Sequence, residues 1–60
     1  MNAKYFVEGS EVSQSDCLEY FILNSGFSRD GAIAEFRANN NPDSCEYISE
    51  HCSDVEVIYQ

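Results

Sequence analysis

The sequence predicts a small α+β domain: an N-terminal β-hairpin, two helices, and a C-terminal β-hairpin or strand, in a single domain over residues 1–60. Three observations predict it. "KYFVE" and "DVEVIYQ" alternate with a period of two, as strands with one buried face do. "SQSDCLEYFILNSG" and "SRDGAIAEF" place apolar residues at helical spacing behind serine caps. Gly9, Gly26 and the run from Asn39 to Pro42 fall where these periods change.

In the first element Lys4, Phe6 and Glu8 alternate with Tyr5 and Val7. Gly9-Ser10 is a turn signal, and Glu11-Val12 returns as a short second strand. Ser13 then caps a helix. Asp16 stands in the capping-box position three residues on, and Val12 and Cys17 are placed to staple the helix start. Leu18, Phe21, Ile22 and Ser25 share one face, which Cys17 and Tyr20 widen, and Gly26 supplies a left-handed cap at the end.

Ser28 caps the second helix, and Asp30 suits the positive end of its dipole. Ile33 and Phe36 lie at i and i+3 with Ala32 beside them, and Arg37 suits the C-terminal end. Gly31 weakens this helix by about 1 kcal/mol relative to Ala. The last segment carries two patterns. Asn41-Pro42-Asp43 reads as a cap followed by proline at the first helical position, which predicts a short helix. Cys45, Tyr47 and Ser49 alternate with Glu46, Ile48 and Glu50, which predicts a hairpin turning near Glu50 to Ser53, and the alternation is favoured. A closing strand puts Val55, Val57 and Tyr59 on one face and Glu56 and Ile58 on the other.

Charge narrows the function. Eleven Asp and Glu face three Lys and Arg, giving a net charge of -8 and a pI near 4.1. Such a chain is repelled by DNA, RNA and anionic membranes, so its expected charged partner is a basic protein surface. The stretch "NSGFSRDGAIAEF" looks like a helix-turn-helix, but Arg29, Arg37 and Asn39 are too few to hold phosphates against that charge. The apolar fraction of 43% and eight Phe and Tyr residues predict a folded core. No signal-peptide pattern and no run of about 20 apolar residues occurs, which predicts a cytoplasmic protein.

Catalytic and metal chemistry find little support. Cys17, Cys45, His51 and Cys52 are soft ligands, but no C-x-x-C knuckle is present, and on a strand His51 and Cys52 would point to opposite faces. No cofactor, metal or catalytic residue is expected. The odd number of cysteines predicts free thiols; Cys45 and Cys52 pair only if the fold sets them side by side. The carboxylates are the candidates for partner binding. Glu46, Glu50, Asp54 and Glu56 crowd the last third of the chain, and Asp16 and Glu19 share an outward helix face. Glu8 and Glu11 flank the first turn. The competing reading is that these are solvated faces that keep a small protein soluble, with interaction confined to an apolar face, a sheet edge or an aromatic patch that makes a homodimer.

The layout "YFVEGSEVSQSDCLEYFILNSGFSRDGAIAEF" resembles small acidic proteins encoded by bacteriophages and prophages. The shared pattern is a first strand, a glycine turn, Val-Ser opening a helix, and a second serine-capped helix ending in an aromatic. Many proteins of that class inhibit host defence, as anti-CRISPR or anti-restriction proteins. The resemblance implies a non-enzymatic inhibitor acting in the host bacterial cytosol, where it would cover a basic nucleic-acid groove of a defence complex, DNA mimicry being one way to do so. It assigns no residue.

Overall fold

A computed structural model describes residues 2–60. Strand β1 (Ala3–Val7) and strand β2 (Ser10–Val12) form the expected hairpin. Its two-residue turn is Glu8-Gly9, one residue earlier than the sequence signal placed it. Both residues have positive φ, 51° and 83°. That pair of conformations matches the twist of the flanking strands, and it is what a type I′ hairpin requires.

Helix α1 (Gln14–Asn24) and helix α2 (Arg29–Asn39) follow. Both serine caps form: Ser13 Oγ accepts the Asp16 N–H and Ser28 Oγ accepts the Gly31 N–H, each at 3.1 Å. Gly26, at φ 87°, turns the chain out of α1. The buried stripe of α1 is Cys17 and Phe21, one turn apart, with Leu18, Tyr20 and Ile22 packing beside it. In α2 the buried pair is Ala32 and Phe36. Ile33, expected to lead that face, is only half-buried, because the i, i+4 pair of Ala32 and Phe36 sets the inward direction.

The favoured C-terminal hairpin does not form. Residues Glu46–His51 make a short third helix, α3, and only Val55–Tyr59 is a strand, β3. Two causes act together. The Asn41 side chain accepts the N–H groups of Asp43 and Ser44, both at 3.0 Å, and so starts a helical turn across Pro42. Helical spacing also carries Cys45, Ile48 and Cys52 toward the core on one face, where alternation would have split Cys45 from Ile48. Cys45 and Cys52 consequently cap opposite ends of α3, roughly 10 Å apart at the helical rise per residue, too far to pair. All three cysteines are free.

Strand β3 returns to pair with β1, giving an antiparallel sheet of order β2-β1-β3 with β1 in the centre. Tyr5 lies opposite both Val12 and Val57, and Phe6 opposite both Glu11 and Glu56. The inward row of Tyr5, Val55 and Val57 meets Cys17, Phe21, Ala32, Phe36, Ile48 and Cys52 in a core where, among the described residues, no polar or charged residue is buried. Phe36 links the layers: its ring centroid is 5.7 Å from Phe21 on α1 and 6.4 Å from Tyr5 on the sheet. At the end of α2, the Asn40 side chain accepts the hydroxyl of Tyr5 at 3.1 Å, and the Tyr59 hydroxyl lies 2.7 Å from both Asn40 oxygens. Burial pushes the Cys17 thiol up to about 11, with Cys52 close by adding to the effect, so Cys17 packs as a small hydrophobe and is a poor nucleophile.

Gly31 is less of a weakness than its helix propensity says. A Cβ there would stand 3.0 Å from the Ser28 cap hydroxyl. In urea unfolding, Gly31→Ala is therefore expected to leave stability within about 0.5 kcal/mol of the parent, because the propensity gain offsets a disturbed cap. Ser28→Ala is expected to lose about 1 kcal/mol in the same measurement.

Candidate protein-docking site

All three helices pack with the inward side of the sheet, and the outward side has no helix across it. Alternation sends Lys4, Phe6, Glu11, Glu56 and Ile58 to that open side. Register arranges them in rows. One row reads Glu11, Phe6, Glu56 across the three strands, and the next holds Lys4 opposite Ile58. Phe6 is half-buried and lies outside the core cluster. It is thus a large aromatic on a solvent-facing sheet, with a carboxylate on each neighbouring strand.

At the end of this face the hairpin turn meets the loop before β3. The Glu8 N–H donates to the Asp54 carbonyl at 2.7 Å and ties the two segments together. Beside them is an open cavity of about 320 Å³ whose lining includes Phe6, Glu8, Ser49, Ser53, Asp54 and Glu56. Three carboxylates, two hydroxyls and one aromatic ring therefore border one depression. Asp54 is held in place, since Oδ2 accepts the Tyr20 hydroxyl from α1 at 2.8 Å. That hydrogen bond is the main reason the Tyr20 phenol is pushed up to about 12; desolvation and the charges of Asp54 and Glu8 add to it.

The six carboxylates singled out by sequence do not form one patch. Asp54 and Glu56 come together at the cavity, joined by Glu8, with Glu11 across Phe6. Glu46 and Glu50 lie one turn apart on the exposed side of α3, next to Ser49. Asp16 and Glu19 are exposed on α1, and Asp16 is one turn before Tyr20. Asp16 and Glu46 also sit in the first turns of their helices, where the dipole stabilises a carboxylate, which gives both a structural role. From sequence alone Phe6 is not singled out, and Glu8 and Glu11 stand outside the first choice. The signal for Phe6 was present: it alternates in phase with Lys4 and Glu8.

Other chemistry-bearing residues are used in packing. His51 sits between Tyr47 and Phe27 with its ring tilted against both, centroids 4.3 and 5.3 Å away, and it is on a helix where a strand was considered. The Tyr47 hydroxyl donates to Glu35 at 3.2 Å. Among the described residues no three His, Cys, Asp or Glu side chains gather as metal ligands, and no helix is long and apolar enough to cross a membrane. Exposed large apolar surface is slight; Leu23 on α1 is 74% exposed. No family model matches the chain, and no curated protein or solved structure matches it significantly.

Two outcomes are expected. The fold favours the protonated Tyr20 phenol, so the stability it contributes is complete below the ordinary value near 10 and is lost as pH climbs toward about 12. Tyrosinate absorbance should show a late-titrating step that Tyr20→Phe removes. Separately, Glu8 occupies a left-handed position that disfavours its side chain. Glu8→Asn, giving the preferred Asn-Gly turn, is expected to raise the unfolding free energy by about 1 kcal/mol, read from the denaturation midpoint.

Proposed function

We propose that this chain is a non-enzymatic binding protein that docks its open, acidic sheet face on a basic nucleic-acid-binding surface of a bacterial defence complex and blocks access to it. The observation that carries this reading is the helix-free face with Glu8, Glu11, Asp54 and Glu56 set around Phe6. A solvated acidic face serving only solubility does not need an aromatic at its centre, and interfaces are enriched in such residues. The net charge of -8 supports fast, steered encounter with a cationic groove and disfavours direct contact with nucleic acid. The resemblance to phage-encoded inhibitors supplies the choice of a defence complex among basic partners.

The test is expression of the chain in bacteria that carry a CRISPR or restriction system directed against a test phage. Restored plaquing is expected, and the double variant Asp54→Lys with Glu56→Lys should abolish it while remaining folded by circular dichroism. Binding to the responding complex should weaken at least about tenfold in that variant and fall steeply with added salt. Plaquing that no system restores, or that the charge reversal leaves intact, overturns the reading.

A further inference from the structure

We propose that the open sheet face seats an arginine side chain of the basic partner, with its guanidinium stacked on the Phe6 ring and its N–H groups directed to the flanking carboxylates. This rests on the reading above only in taking the partner to be a basic protein surface. Phe6 contributes nothing to the nine-residue core, and the strands on either side of it place Glu11 and Glu56 directly opposite. Paired positions across an antiparallel ladder bring Cβ atoms to about 5 Å, within reach of a group lying over the ring. The cavity of about 320 Å³ opens beside the same ring and has room for the head group of a long side chain.

Arginine fits this arrangement better than lysine. A planar guanidinium can lie on an aromatic face and still donate in its own plane, whereas an ammonium is a compact, strongly hydrated point charge. The Glu8 and Glu56 carboxylates border the cavity and can accept paired N–H groups. Asp54, fixed by the Tyr20 hydroxyl, adds negative potential beside Glu8 without having to be ordered on binding. Lys4 stands in the next row, opposite Ile58, and limits the cationic site to the Phe6 row.

The experiment is an NMR titration of the isotopically labelled protein with hexaarginine and, separately, hexalysine at one fixed ionic strength. Hexaarginine is expected to bind several-fold more tightly, with amide shifts centred on Phe6, Glu8, Glu11 and Glu56. Phe6→Leu keeps an apolar strand residue and is expected to weaken hexaarginine by about two- to fivefold, the range of an exposed cation–π contact, and to erase its advantage over hexalysine. Phe6→Tyr keeps the ring and should keep the advantage. Equal binding of the two peptides, indifference to Phe6→Leu in a folded variant, or shifts centred on Glu46 and Glu50 would each overturn the proposal. Arginine preference without restored plaquing would retain this site and remove the defence complex as its target; restored plaquing without arginine preference would do the reverse.

Discussion

The contact between Phe21 and Phe36 holds the molecule together. The two rings, 5.7 Å apart, join α1 to α2, and Phe36 carries the contact on to Tyr5 in the central strand. A chain of 60 residues has one small core, and here that core sits wholly on one side of the sheet. The helices are needed there, so none is left to cover the other side. The open face is a consequence of size as much as of pattern: a two-layer domain this small can hide one face of its sheet and must expose the other.

That constraint also sorts the polar chemistry. Among the described residues the core buries no polar or charged residue, and the tyrosines in it and around it send their hydroxyls to named partners: Tyr5 and Tyr59 to Asn40, Tyr20 to Asp54, Tyr47 to Glu35. These bonds join residues 12 to 35 positions apart, so the rim does the locating that a larger core would do by packing. Tyr20 has a double part. Its ring packs against the core, and its hydroxyl fixes the carboxylate that walls the cavity.

Much of this was legible in the sequence. The α+β class, the opening hairpin, both serine caps, the Gly26 stop and the inward set of β3 follow from local chemistry, and local chemistry prevailed there. Residues 43–50 were misjudged because alternation and helical spacing coexist in "CEYISEHC". The deciding facts were the Asn41 side chain, which closes the turn across Pro42, and the Cys45, Ile48 and Cys52 spacing. The candidate site was half legible. Asp54 and Glu56 were in view as acidic residues near the end of the chain, but their union with Glu8 depends on β3 returning to β1, a pairing between residues about fifty positions apart that no local pattern encodes.

The same return has a geometric result. At the far end of the ladder the Gln60 N–H donates to the Asn2 carbonyl at 2.9 Å, so the two ends of the described chain leave the sheet side by side. Glu8 and Asp54 are bonded across the opposite end of the same two strands. Asn2 and Gln60 therefore lie at the end of the sheet remote from the cavity. The described fold is thus bipolar: one end of the sheet carries Asn2 and Gln60, and the other carries the carboxylate-lined cavity.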